Sequence, residues 1–230
     1  MQRRTSSIGR CDPRPAPRGK IGVVIVLDGI YYAAALAGAG VLVWWLAGPW
    51  FAIPLFILAL FCLYFFRDPE RAVPDGPVAV SPADGKVVAV KEEAPALNRI
   101  SIFLNIFDVH VNRTPIAGTI AGVEYHKGCF HVASKEQCST QNEQNVVTVE
   151  GEGTTVVFKQ IAGLIARRIV FSRQAGDHVA TGERIGLIKF GSRVDVLLGP
   201  EWEIAVRPGM KVRAGSSVIA RRVEGGTRGS

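Results

Sequence analysis

Cysteine is scarce in this chain of 230 residues, and its four copies, Cys11, Cys62, Cys129 and Cys138, include no close-spaced pair. That spacing indicates neither a zinc site, which draws on clustered Cys and His, nor a disulfide framework. Acidic residues are outnumbered, 20 Asp and Glu against 27 Lys and Arg, which leaves a net charge of +7. A pI near 9.5 suits an anionic membrane surface, an anionic lipid headgroup or a nucleic acid. No nucleic-acid motif is present. Charge is nearly missing from residues 21–66, where Asp28 is the only charged side chain. A small-residue cleavage site is lacking too, since a second apolar run follows the first directly, and this argues against a cleaved signal peptide.

The block that lacks charge is rich in everything else a membrane segment needs. It consists of residues 21–47, then Gly48-Pro49, then residues 50–66. At about 1.5 Å per residue, each run is about long enough to cross a bilayer core as a helix. Two spans and a re-entrant hairpin both fit. The alternative is a buried helical hairpin of a soluble protein, against which stand the lack of charge and the cluster of Trp44, Trp45 and Trp50 at the turn, a residue type enriched at membrane interfaces. Asp28, near the start, reads as interfacial. Arg3, Arg4, Arg10, Arg14, Arg18 and Lys20 precede the block and Arg67 and Arg71 follow it. By the positive-inside rule both ends, and the rest of the chain, face the cytoplasm at the cell membrane. Residues 1–20 read as a basic disordered tail and 225–230 as a flexible one.

Residues 67–224 have the rhythm of a β domain. Short β-branched runs recur at 86–90, 99–104, 145–149, 155–158 and 194–198, punctuated by Gly, Pro and Asp. Residues 160–170 fit helix or strand. Two segments share one plan: Gly176, Val179, Gly182 and Ile185 match Gly209, Val212, Gly215 and Val218 in spacing. Each reads as a hairpin cue, and the repetition resembles the barrel-sandwich domains that carry biotin or lipoate. The expected fold is therefore mainly β: an N-terminal hydrophobic helical hairpin, 21–66, followed by a compact β barrel-sandwich-hybrid-like domain.

Four spots carry candidate chemistry. Gly191-Ser192 lies between two strand-like runs, where glycine lets a serine hydroxyl approach the preceding carbonyl; it is also ordinary turn chemistry. Asp84, in Ser81-Pro82-Ala83-Asp84-Gly85, is a candidate acid or base, or a turn residue bonding its own backbone. His110 follows an apolar strand and precedes Pro115, so it reads as a proton shuttle or as a strand-end cap, with His126, His131 and His178 as competitors. Arg167 and Arg168 interrupt an apolar run, and burying them requires an anion, either a phosphate or a carboxylate such as Glu143 or Asp195.

Taken in order, FFRDPER, SPADGKV, FLNIFDVHVNRTP, NEQN, QIAGLIARRI, GDHVATGERIGLIKFGSR and VDVLL, across residues 65–198, resemble the phosphatidylserine decarboxylase family, in its short bacterial and archaeal-like branch. The resemblance implies a pyruvoyl enzyme of phospholipid biosynthesis. Ser192 would attack the Gly191 carbonyl to form an ester, and loss of the Ser192 α-proton would expel the Gly191 carboxylate. Hydrolysis of the resulting dehydroalanine would release ammonia and leave a pyruvoyl group. The products are a β subunit, 1–191, and an α subunit, 192–230, joined as a heterodimer. The pyruvoyl ketone would form a Schiff base with the serine amine and accept the electron pair left by CO2.

The same resemblance makes His110 the acid that protonates the product and pairs Asp84 with it. Where better-known members carry Leu-Gly-Ser-Thr, this chain has Phe190-Gly191-Ser192-Arg193, and Arg113 occupies the place of a second histidine. Arg193, Arg113, Arg167 and Arg168 are the candidates for the phosphate or carboxylate of phosphatidylserine, with the pyruvoyl group as the only cofactor and no metal. Archaetidylserine is an alternative substrate of the same chemistry. A membrane-tethered carrier module is the rival of another class, and it lacks a lysine at the tips of the repeated segments, where Thr181 and Ala214 stand.

Overall fold

The computed structural model describes residues 23–128, 142–163, 168–189 and 192–223. Both tails, Cys11, Cys129, Cys138, His131, Arg167, Phe190 and Gly191 lie outside the described residues, and of Arg168 only the backbone is described.

The chain opens with β1 (Val23–Ile25), α1 (Leu27–Ala47), α2 (Pro49–Phe65) and β2 (Arg67–Pro69). Gly48, at φ 96, makes the sharp turn between the helices, and Pro49 starts α2 where its missing N–H has no helical partner to lose. The helices are 21 and 17 residues long, about 31 and 26 Å. α1 is long and apolar enough to cross a membrane, and α2 is shorter. Their large side chains point outward, with Tyr31, Trp45, Trp50 and Phe51 all exposed. Such an outward apolar surface belongs to a membrane-associated hairpin rather than to a soluble core. β1 pairs antiparallel with β2 and closes the hairpin at its base, a pairing the sequence did not suggest.

The β domain continues with β3 (Val78–Val80), β4 (Gly85–Ala94), β5 (Leu97–Leu104), β6 (Val111–Arg113), β7 (Gly118–His126), β8 (Gln144–Gly151) and β9 (Thr154–Ile161). Then come β10 (Arg168–Phe171), β11 (His178–Val179), β12 (Arg184–Lys189), β13 (Ser192–Leu198), β14 (Trp202–Ile204), β15 (Lys211–Val212) and β16 (Val218–Arg222). An eight-stranded sheet runs β11-β7-β8-β9-β13-β5-β4-β15 and faces two three-stranded sheets, β10-β12-β6 and β14-β16-β3. All five expected strand runs are strands. A single large apolar cluster fills the space between the sheets, including Ile100, Ile102, Leu104, Phe158, Val194, Val196 and Ile219.

The two repeated segments are corners and not hairpins. β11 pairs with β7, whereas β12 pairs with β10 and β6. Likewise β15 pairs with β4, whereas β16 pairs with β14 and β3. Each segment hands the chain from one sheet to another. Their turns nonetheless pack face to face: Gly182 and Gly215 both sit at φ +73, and a Cβ on Gly182 would lie 3.3 Å from the Gly215 Cα. Left-handed backbone at that contact requires glycine.

Candidate active site

β13 has hydrogen-bonded neighbours on both sides and is buried along its whole length. Because side chains alternate across a strand, Ser192 shares the core face with Val194 and Val196, while Arg193 and Asp195 take the other face. Ser192 is fully buried, and its hydroxyl has no hydrogen-bond partner among the described residues. An orphaned buried hydroxyl is unusual and calls for an explanation.

The register then brings a second candidate into line. Ser192 lies opposite Leu104, and Arg193 and Lys86 both lie opposite Phe103. Gly85 at the start of β4, and Asp84 before it, therefore sit two strands from Ser192, about 10 Å away at sheet spacing. Gly85 has φ +156, and a side chain there would strike the Phe103 carbonyl, so only glycine lets β4 begin so close to β5. Asp84 accepts a hydrogen bond from the Ala214 N–H (2.7 Å) and one from Arg71 (2.8 Å). Burial pushes its carboxyl above the ordinary carboxylate range, against the opposing pull of the Ala214 N–H and Arg71.

His110 precedes β6 and is fully buried. Its Nδ1 lies 2.8 Å from the carbonyl oxygen of Asp108, which can only accept, so Nδ1 carries the proton. Burial depresses its pKa from 6.5 to about 4, outweighing the hydrogen bond to Asp108. The imidazole is thus neutral at pH 7 with its lone pair on Nε2, the form of a base. Phe65, the last residue of α2, packs on the ring at 4.2 Å between centroids. The expected pairing of Asp84 with His110 is not seen: each is held by other groups, Asp84 by Arg71 and Ala214 and His110 by Asp108.

The arginines divide differently from the sequence expectation. Arg193 is 1% exposed, with Nε on Asp195 (2.6 Å) and Nη2 on the Ser101 hydroxyl (2.6 Å). Arg113 donates to Asp68 (2.8 Å), the Pro69 carbonyl and the Gly182 carbonyl, and its Cδ lies against Gly215. Both guanidiniums are buried on carboxylates and present nothing to an incoming anion. Arg113 instead ties the segment after α2 to the packed corners.

That segment, Phe65 to Arg71, is what sequence reasoning missed. It reads as an exit from the membrane, yet each charged residue is engaged. Arg67 donates to the carbonyls of Tyr64 and Phe107. Asp68 binds Arg113 and Arg184, Glu70 binds Arg184, and Arg71 binds Asp84. Phe65 and Phe66 pack with Val109, Val111 and Leu187 beside His110. The available signal was the dense alternation of charge in an extended stretch, which sends neighbours to opposite sides. A buried amide chain also went unread: Asn145 donates to Gln160, and Gln160 to Asn112.

The model of the phosphatidylserine decarboxylase family matches residues 58–220, the end of α2 and nearly the whole β domain, including Asp84, His110 and Ser192. The chain belongs to the phosphatidylserine decarboxylase family. A phosphatidylserine decarboxylase proenzyme of Solibacter usitatus is 74% identical over 200 residues, covering 87% of this chain and 98% of the relative. Proenzymes of the same description from Desulfotalea psychrophila and Ruegeria pomeroyi are 46% identical over 170 residues and 44% over 210. They cover 70% and 86% of this chain and 79% and 88% of their own lengths.

Proposed function

We infer that this protein decarboxylates phosphatidylserine to phosphatidylethanolamine at a membrane, after cutting its own chain between Gly191 and Ser192. The observation that carries this reading is the Ser192 hydroxyl, buried at the start of β13 with no hydrogen-bond partner among the described residues. A nucleophile kept free of competing donors and acceptors suits attack on the adjoining carbonyl, and the same residue fits as the precursor of a pyruvoyl group. That group, once made, supplies a ketone that binds the substrate amine and accepts electrons as CO2 departs.

The chain's own residues do the rest. We assign to His110, which is neutral with its own proton fixed on Nδ1, the role of base toward the Ser192 hydroxyl during self-cleavage. In turnover the Nε2 of His110 takes a proton released by the substrate ammonium and returns it to the headgroup carbon that has lost CO2. Asp84 is a positioning residue: through Arg71 and the Ala214 N–H it fixes the start of β4 against the segment that leaves the hairpin. The buried, apolar cover over His110 keeps water away from the carboxylate that must leave. The basic flanks of the hairpin, with Arg67 and Arg71 after it, favour the cytoplasmic side for the β domain. The cut chains, 1–191 and 192–230, stay together because β13 remains hydrogen-bonded between β5 and β9.

Intact-mass measurement of purified protein tests this directly. Two chains divided at Gly191 and Ser192, the smaller without a free N-terminal amine, are expected, together with CO2 release from phosphatidylserine. Ser192→Ala should be folded, uncut and inactive. Cleavage persisting in that variant would move the nucleophile elsewhere.

A further inference from the structure

We propose that Lys86 and Lys211 form the subsite for the phosphodiester of the substrate headgroup, in a cleft they share with Asn105 and Phe107. The proposal rests on the decarboxylase reading and adds the group that the buried arginines cannot supply.

Lys86 and Lys211 lie directly opposite each other across the β4 and β15 pair. Like charges in that position repel, and neither lysine has an ion-pair partner among the described residues. Strands are about 4.8 Å apart, so two flexible ammoniums from neighbouring strands converge on a single anion without moving the backbone. An anion between them turns a repulsive pair into a binding site.

Both lysines line one cleft of about 350 Å³ with Gly85, Phe103, Asn105, Phe107 and Asp108, a volume within the range of small-ligand sites, about 300–1,000 Å³. The cleft lies at the strand ends that carry Ser192 and Asp84, on the face of the sheet opposite the Ser192 side chain. Asn105 directly follows Leu104, the cross-strand partner of Ser192, and Gly85 directly follows Asp84. One carboxylate is present, that of Asp108, and its Oδ2 already accepts the Asn105 N–H at 2.8 Å.

The cleft also lies beside the membrane hairpin. The Phe107 carbonyl accepts hydrogen bonds from Tyr64 near the end of α2 (3.3 Å) and from Arg67 just after it (2.8 Å). Phe107 itself is 62% exposed and Ile106 is 36% exposed. A lipid whose glycerol end meets these apolar side chains places its phosphate on the lysines and passes its serine round the end of β5, at Asn105, toward residue 192. Arg193, on the lysines' face of the sheet, is buried against Asp195 and Ser101 and leaves the phosphate to them.

The test uses full-length, self-cleaved protein in neutral detergent micelles carrying phosphatidylserine. Lys86→Ala and Lys211→Ala should each raise KM about tenfold, the loss of a charge-assisted hydrogen bond, with self-cleavage complete by intact mass and kcat changed far less. Lys86→Arg should recover most of the KM. Soluble glycerophosphoserine should compete with substrate in the wild type and lose that competition in the double variant.

Binding to vesicles of phosphatidylcholine and phosphatidylglycerol, which contain no substrate headgroup, separates a headgroup site from attraction to an anionic surface. It should be unchanged in the variants. Vesicle binding that falls while KM in neutral micelles stays at the wild-type value would overturn the proposal, as would a wild-type KM throughout. If the wild type released no CO2 from phosphatidylserine, the decarboxylase reading would fail separately. Calorimetric binding of glycerophosphoserine to the wild type and the double variant would then decide the anion site alone, equal binding refuting it.

Discussion

Replacing Phe65 asks whether the membrane hairpin tunes the reacting centre. The Phe65 ring is 1% exposed and covers His110 at 4.2 Å. The imidazole beneath it titrates at about 4 in place of 6.5, with burial as the largest cause. At about 1.4 kcal/mol per pH unit, this environment favours the neutral ring by roughly 3 kcal/mol. Two charged groups also act on it: Asp108 raises the value and Arg67 lowers it. Phe65→Ala leaves both in place and admits water, so the value should climb by at least about one pH unit. Phe65→Leu retains an apolar cover and should keep it low. Magnetic resonance of the imidazole carbons, in detergent-solubilised protein kept uncut by Ser192→Ala, reads each midpoint. A midpoint near 6.5 with Phe65 in place would refute the reasoning, as would equal midpoints in Phe65→Ala and its parent.

The same depressed value gives a stability test with a definite sign. An unfolded chain takes up the His110 proton near 6.5 and the folded one near 4, so the stabilising difference is complete above about pH 6.5 and lost as pH falls toward 4. Urea midpoints of the Ser192→Ala protein should drop over that window, and His110→Gln should flatten the drop. Gly85→Ala forces a side chain into the Phe103 carbonyl at a left-handed position. A loss of about 1–3 kcal/mol and accumulation of uncut chain are expected, while full processing would mean that the start of β4 tolerates displacement. Asp68→Asn leaves Arg113 buried without its carboxylate and should cost about 3–5 kcal/mol, read as a lower thermal midpoint. An unchanged midpoint would assign the hold on Arg113 to the Pro69 and Gly182 carbonyls.

The parts of this protein legible in its sequence are those where the signal is local. Apolar runs and a Gly-Pro break foretell α1 and α2, and β-branched runs foretell β4, β5, β8, β9 and β13, because periodicity and turn chemistry act over a few residues. Ser192 and Asp84 stand out for a similar reason, each at a strand end beside Gly, and His110 stands at a strand start ahead of a turn marked by Pro115. Partners are another matter. Asp84 meets Ala214 across 130 positions, and Arg113 meets Asp68 across 45, so the sequence offers Arg113 as a substrate candidate without showing the carboxylate that holds it. The glycine spacing of the repeated segments marks a tight left-handed turn but not the sheet that receives the next strand, which is why corners read as hairpins.

The segment between hairpin and β domain bears on what the hairpin is for. A tether needs only apolar length, and any pair of apolar helices would serve. Here the last turn of α2 carries Phe65 over His110 and Tyr64 onto the Phe107 carbonyl, and the following residues brace Asp84, Arg113 and the turn before His110. Gly29 in α1 is part of the same joint, since a Cβ there would collide with Phe66. The cover over the His110 ring is therefore set by the position and angle at which the hairpin ends. An enzyme whose substrate sits in a bilayer gains from this arrangement, because the element that registers the membrane surface also covers the imidazole and borders the cleft where a headgroup phosphate would rest.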